Sequence, residues 1–243
     1  GRGKCLAMKM DSDLIVVGGG LTGSALGLAC AAAGLRVTVI DRLAAAARAE
    51  AGFDGRSYAL AAASQRLLAA LGLWEELRDT AQPILEIKAS DGRPGEGAGP
   101  HVLHFDHAQI EEGPMGYMVE DRHLRPALLA AMAAQPLVDH RAGATVVAQR
   151  VDGAAAEVTL ADGATLRAPL LVGADGRRSG TAARAGIGRT GWSYGQTALV
   201  CAVAHERPHR GIAHQFFMPG GPLAILPLKG ERCSIVWSER DAL

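Results

Sequence analysis

The residues with the clearest chemical potential are the glycines of Gly18-Gly19-Gly20-Leu21-Thr22-Gly23, placed directly after the apolar run Leu14-Ile15-Val16-Val17. Their spacing, Gly18-x-Gly20-x-x-Gly23, can cradle a pyrophosphate. Gly18 permits a tight turn, and Gly20 lacks the Cβ that would hold the backbone away from phosphate oxygens. Gly23 lets the following helix pack close on the strand. The helix N-terminus then offers unpaired N–H groups and the positive end of its dipole. Asp41 lies 23 residues after Gly18, a spacing that suits a carboxylate accepting bonds from a ribose diol. Arg42 stands beside it at the same strand end. The stretch predicts a dinucleotide site and leaves FAD and NAD(P) both open.

These residues need a βαβ unit to position them. Leu14 to Val17 reads as a buried strand of a parallel sheet. Leu21 to Ala33 reads as an Ala- and Leu-rich helix stopped at Gly34, and Arg36 to Ile40 as a second strand. Further along, Ser57 to Leu71 is expected to be a helix with Ser57 as N-cap. Pro83 to Ala89 and His101 to Phe105 read as a strand and its return, and Arg122 to Ala134 as a helix with Pro126 in its first turn. Leu137–His140, Ala144–Val151 and Glu157–Leu160 are strand candidates with turns at Gly153 and Asp162-Gly163. Leu170-Leu171-Val172 is expected to be another buried strand. From Trp192 the texture changes to strands separated by Pro/Gly turns, which predicts an antiparallel sheet.

The chain has 243 residues, 49% hydrophobic, with 25 basic and 25 acidic side chains. That length can bury a sizeable core, and the balanced charge argues against nucleic acid as the main partner. No apolar run is long enough to span a bilayer, so a soluble, cytoplasmic protein is expected, with peripheral contact to the inner face of a membrane left open. Cys5, Cys30, Cys201 and Cys233 show no CxxC spacing and read as reduced structural thiols. Residues 1–9 read as a leader. Two motifs read as decoys. "GWSYG" (Gly191 to Gly195) matches a nucleophile elbow but is followed by a strand-like run where that motif needs a helix. The histidines at 101, 104 and 107, and at 205, 209 and 214, lack the helix or matched acid and thiol set of a metal site. No metal is predicted.

A second stretch, "PLLVGADGRRSGTAARAGIG" (Pro169 to Gly188), resembles the Asp-Gly fingerprint of single-component FAD-dependent aromatic monooxygenases, with Ala174-Asp175-Gly176 and Ser179 in place. The arginine that commonly follows the serine by three positions is Ala182 here, with Arg184 two residues on. Residues 54–74, 105–129 and 192–228 are similar to the ubiquinone-biosynthesis hydroxylases, the polyprenyl-phenol hydroxylases of that group. The resemblance runs from about Ser12 to Trp237. Asp121 stands where that branch usually has Asn.

The resemblance implies a doubly wound, Rossmann-like FAD-binding domain over residues 10–80 and 108–190. Into it an antiparallel substrate-binding sheet of the p-hydroxybenzoate-hydroxylase kind is inserted, over 81–107 and 191–243. It implies FAD as cofactor, held by Gly18, Gly20, Gly23, Asp41, Arg42, Arg56, Asp175 and Gly176, with NAD(P)H as co-substrate. The expected reaction is hydroxylation of a polyprenylated phenol in ubiquinone biosynthesis, with O2, through a flavin C4a-hydroperoxide. Partners would be the phenol, a membrane surface or other ubiquinone-pathway proteins. No catalytic side chain is assigned, since the cofactor carries that chemistry. The family's third fingerprint, a Gly-Asp that binds the ribityl chain, has no counterpart, as Gly-Asp occurs nowhere in the sequence. The chain therefore reads as C-terminally truncated. The alternatives are another aromatic-ring hydroxylase or a catalytically silent, flavin-poor fragment.

Overall fold

The computed structural model describes residues 9–48, 52, 54–93, 95–110 and 113–241. Residues 1–8, most of the expected leader, lie outside them. In chain order the elements begin β1 (Leu14–Val17), α1 (Leu21–Ala32), β2 (Val37–Asp41), α2 (Ala45–Arg48), β3 (Ser57–Ala61) and α3 (Ala62–Ala70). Next come α4 (Trp74–Arg78), β4 (Gln82–Ile84), β5 (Glu86–Arg93), β6 (Gly97–Asp106), β7 (Gly116–Glu120) and α5 (Asp121–Ala134). Then follow β8 (Val138–Ala142), β9 (Val146–Asp152), β10 (Ala155–Leu160), β11 (Thr165–Ala168), β12 (Leu170–Gly173) and α6 (Gly180–Arg184). Last are β13 (Gln196–Ala204), β14 (Ile212–Phe217), β15 (Pro222–Leu228) and β16 (Arg232–Arg240). The chain forms two compact units, residues 1–50 with 125–190 and residues 51–124 with 191–243.

The first unit is built on a parallel sheet of order β12-β1-β2-β8. β1 is buried along its whole length, as its β-branched run requires. Its side chains alternate between two layers. Ile15, Val17 and Ile40 pack with Val146, Val158, Leu160 and Leu166 of the antiparallel sheet β11-β10-β9. On the other side α1 lies against β2, and a Cβ on Gly27 would come 2.8 Å from Val39 Cγ2. Gly27 thus sets how near the helix can approach. Leu170 corrects the expectation of a buried last strand: β12 is an edge strand, and Leu170 is 57% exposed. With Leu171, Thr181 and Ala182 it lines a cavity of about 700 Å³.

The second unit contains the small sheet β3-β7-β4 and the six-stranded sheet β13-β16-β15-β14-β5-β6. Ile84 and Met118 of the first pack with Ala213, Leu228, Ile87 and Leu226 of the second. The expected helix over Ser57–Leu71 is in part a strand. Ser57 to Ala61 pairs antiparallel with β7, and only Ala62–Ala70 is helical. Tertiary pairing overrides the helix preference of its alanines. The expected strand Pro83–Ala89 is broken at Leu85, whose N–H and that of Glu86 both donate to Gly211 O. The large sheet is antiparallel except for β14 beside β5. Among the described residues no helix is long and apolar enough to cross a membrane.

Candidate functional site

The glycine turn is set by backbone contacts that leave no room for side chains. Gly18 has φ +109°, and a Cβ there would lie 2.3 Å from Ala174 O. Gly23 is tighter still, with Gly18 O at 1.8 Å from a Cβ. Gly18 N–H donates to Ile40 O at 2.7 Å, and Ala174 N–H to Val17 O at 2.7 Å. The turn after β1 and the Ala174-Asp175 segment after β12 are therefore in direct backbone contact, although far apart in sequence.

Gly20 differs from its neighbours. It is the N-cap of α1, and a Cβ there would meet nothing within 4 Å. Packing explains Gly18 and Gly23 and gives no reason for Gly20. Its open side, at a helix start with no side-chain cap and no acidic residue in the first turn, fits a phosphate-bearing group approaching the backbone. Asp41 ends β2 and is buried, 3% exposed. Its Oδ1 accepts from Leu43 N–H at 3.0 Å, and its Oδ2 would lie 2.8 Å from a Cβ on Gly19. Gly19 thus admits the carboxylate to the turn. Arg42 follows it and is exposed. These residues fit the adenine-side half of a dinucleotide such as FAD.

Asp175 has another task as well. Its Oδ1 accepts from the Ser179 hydroxyl, and its Oδ2 accepts from Thr181 N–H and Oγ1, both at 3.0 Å. Burial pushes its pKa up, but the bonds from Ser179 and Thr181 outweigh that and hold it below the ordinary carboxylate value. Ser179 Oγ in turn accepts from Ala182 N–H at 3.0 Å, capping α6. Gly176 supplies the left-handed residue of the turn, φ +84°. Arg184 donates to Gln149 Oε1 at 3.1 Å on the same unit. Thr181, which completes the Asp175 cage, carries no signal in the sequence beyond being a hydroxyl residue.

Arg56 belongs to the second unit. Its Nε donates to Asp54 Oδ2 at 2.6 Å, and its Nη2 lies 3.4 Å from Asp121 Oδ2. The hydrogen-bonding Asp54 carboxylate raises its pKa first, burial opposes, and Asp121 adds to the rise. Asp121 is buried at the start of α5, and its Oδ1 accepts from Tyr58 Oη at 2.8 Å. Neighbouring Glu120, 2% exposed, accepts from Arg122 Nε and Arg232 Nη2, each at 2.6 Å. The structure thus places Gly18, Gly20, Gly23, Asp41, Arg42, Asp175 and Gly176 on one unit, and Arg56 among carboxylates on the other.

The decoy motifs have other partners in the structure. Ser193 Oγ accepts from Gly195 N–H in a turn that runs into β13, with no helix after it. His104 pairs with Glu86, His107 with Leu85 O, and His209 with the carbonyls of Leu228 and Gly230. Among the described residues no group of side chains could hold a metal ion. Cys30, Cys201 and Cys233 are free thiols, and Cys5 lies outside the described residues.

The FAD binding domain family matches residues 11–238. Ubiquinone hydroxylase UbiL of Rhodospirillum rubrum is 48% identical over 96% of this chain and 53% of its own length. The 3-demethoxyubiquinol 3-hydroxylase of Escherichia coli is 35% identical over 95% of this chain and 58% of its own. The chain thus spans little more than half the length of these curated relatives. Among solved structures, a probable FAD-dependent monooxygenase of Pseudomonas aeruginosa, PqsL, superposes with a TM-score of 0.79 at 21% identity, over 95% of this chain and 61% of that one. That likeness bears out the expected monooxygenase-like α/β fold. The glycine turn, the Asp175 turn locked to it and the match across nearly the whole chain agree: this protein belongs to the FAD binding domain family, as found in the FAD-dependent hydroxylases of ubiquinone biosynthesis.

Proposed function

We propose that this chain binds FAD and serves in a monooxygenase that hydroxylates the ring of a polyprenylated phenol in ubiquinone biosynthesis, with NAD(P)H and O2 as co-substrates. The observation that carries this reading is the 48% identity, over 96% of the chain, to a protein named ubiquinone hydroxylase. When bound and reduced, the flavin supplies the activation of O2 for transfer of an electrophilic hydroxyl to an electron-rich ring. The chain's own residues bind and position. The Gly20 backbone and the start of α1 receive the diphosphate, and Asp41 accepts from the adenosine ribose, with Arg42 beside it. Asp175 and Gly176 keep the second turn pressed on Gly18. Arg56 is assigned to the diphosphate, which must share its guanidinium with Asp54 and Asp121.

In functional terms residues 10–80 and 108–190 make the FAD-binding domain and 81–107 with 191–243 the substrate sheet. This division follows roles and differs from that into compact units. The lipid tail of such a phenol would bring the protein to the cytoplasmic face of a membrane, or to other ubiquinone-pathway proteins. The test is to incubate the full-length, FAD-loaded protein with NAD(P)H and either a prenylated phenol or p-hydroxybenzoate, reading product by mass spectrometry. Hydroxylation of the prenylated phenol is expected. Hydroxylation of the small acid alone would replace this reading with that of another aromatic-ring hydroxylase.

A further inference from the structure

The six-stranded sheet has two unlike faces. Strand register and the alternation of side chains put Ala202, Leu226, Ala213 and Ile87 on the face that packs on Ile84 and Met118. The opposite face carries one row of Leu199, Trp237, Leu223 and Phe216 across β13, β16, β15 and β14. The next row runs Cys201, Ile235, Ile225, His214, Lys88 and His104, from β13 to β6. In these two rows the β13-β16-β15 side is apolar. The β5-β6 side is charged, with Lys88 Nζ and His104 Nε2 at 3.1 and 2.8 Å from Glu86 Oε2.

His214 sits on the seam between these halves. Its ring lies parallel to that of Phe216, centroids 6.0 Å apart. Beyond Phe216, at the tip of the β5-β6 hairpin, is a cavity of about 330 Å³ lined by Gly92, Arg93, Phe216, Met218, Leu223 and Trp237. Gly92 packs closely there: a Cβ would lie 3.2 Å from Phe216 Cβ and 3.3 Å from its Cδ1. A volume of this size is at the lower end of small-ligand sites. A cavity with an apolar, aromatic wall, Arg93 in its lining and His214 one stacked ring away is complementary to a molecule with a hydroxyl at one end and a greasy substituent at the other.

We propose that this face seats the aromatic substrate, with the phenol hydroxyl donating to a ring nitrogen of His214 and the apolar substituent lying in the cavity between Phe216, Leu223 and Trp237. The inference rests on the ring-hydroxylase reading and deepens it by naming a specificity-determining residue. A neutral imidazole has one acceptor nitrogen, and a protonated one has none. Burial first, and then the Lys88 charge, push the His214 pKa below its ordinary value, while Glu86 pulls the other way. The ring is therefore the neutral acceptor at pH 7. The titratable groups facing it are Lys88 and Glu86 on β5, His104 on β6 and Cys201 on β13, whereas β15 and β16 bring Ile225 and Ile235.

The test uses the full-length, FAD-loaded protein and three probes: 2-geranylphenol, its O-methyl ether, and phenol. Affinities are read by calorimetry and product by mass spectrometry in the same samples. The parent protein should bind geranylphenol about three- to tenfold more tightly than the ether, the worth of one hydrogen bond. That preference should fade as pH falls through the His214 pKa. His214→Leu should abolish the preference. His214→Gln, which keeps an acceptor that does not titrate, should retain it and lose its pH dependence. Trp237→Ala should weaken geranylphenol and leave phenol unchanged. Retained FAD absorbance in each variant reports folding. Equal binding of geranylphenol and its ether by the parent, or an undiminished preference in His214→Leu, would overturn the proposal. Product is scored separately: the expected binding pattern without any hydroxylated ring would sink the ring-hydroxylase reading and leave this seat standing.

Discussion

The glycine turn at the head of α1 and the Arg56 cluster are both assigned to the same cofactor, yet they are built on different physics. In the first, shape decides: Gly18 and Gly23 have carbonyl oxygens where a methyl group would go, at 2.3 and 1.8 Å. In the second, charge decides: Arg56, its side chain 55% exposed, is shared between Asp54 and Asp121. Backbone packing of the kind at Gly18 and Gly23 leaves no room for a side chain and is indifferent to salt. One set by exposed ion pairs is adjustable and contributes little to stability on its own. Under the proposed function, the glycine turn locates the cofactor and Arg56 tunes its hold.

The largest effect expected is at Gly23. Gly23→Ala pushes the Gly18 carbonyl away from the start of α1 and should cost on the order of 3 kcal/mol of unfolding free energy in denaturant titrations. Gly20→Ala is the sharpening control. Its new methyl meets no protein atom, so stability should stay within about 0.5 kcal/mol while FAD binding falls. If both variants lose stability alike, the distinction between packing glycines and a ligand-facing glycine is wrong.

Next comes Asp41→Ala, which removes a charge-assisted acceptor worth roughly 1.5–3 kcal/mol, so FAD affinity should fall at least about tenfold in a flavin titration. An unchanged affinity would take Asp41 out of the site. Asp175→Asn should cost about 1–2 kcal/mol of stability through the weakened Ser179 and Thr181 bonds. Because the folded pKa of Asp175 is depressed, its contribution is fully present above the ordinary carboxylate value and is lost as pH falls through the lowered one. The Asn variant should therefore show a smaller loss of stability on acidification than the parent.

The smallest effect belongs to Arg56. Arg56→Lys keeps the charge and loses the planar fork, so FAD should loosen by about 1 kcal/mol or less, and Arg56→Ala should loosen it more. Both losses should shrink at high salt, whereas that of Gly20→Ala should not. Salt-independent losses at Arg56 would mean that its role is packing.

Legibility in the sequence follows the same division. The βαβ unit could be read because its signals are local: a β-branched run, glycines at fixed spacing and an acid at a strand end. Asp175 could be singled out only through its resemblance to a family motif, and its Thr181 partner not at all. The strand at Ser57–Ala61 was hidden because "SYALA" has helical composition and gains its strand form only from pairing with Gly116–Glu120, a partner remote in sequence. Arg56 could be named, but not its two carboxylates. Asp121 reaches it because β3 and β7 are neighbours, and such adjacency is a property of topology. Gly27 looks like any helix-interior glycine until Val39 is placed under it.

The position of β1 in its sheet has a consequence for biosynthesis. Its partner on one side, β2, emerges from the ribosome at once, but the other, β12, pairs Leu14 with Leu170. At ordinary elongation rates the second edge of β1 stays unpaired for on the order of ten seconds. During that interval Ile15 and Val17 also lack their cover from β9 to β11. The nascent chain thus presents a bare, β-branched segment before its own closing strand exists, and chaperone occupancy of stalled chains should drop once residues beyond Gly173 have cleared the tunnel.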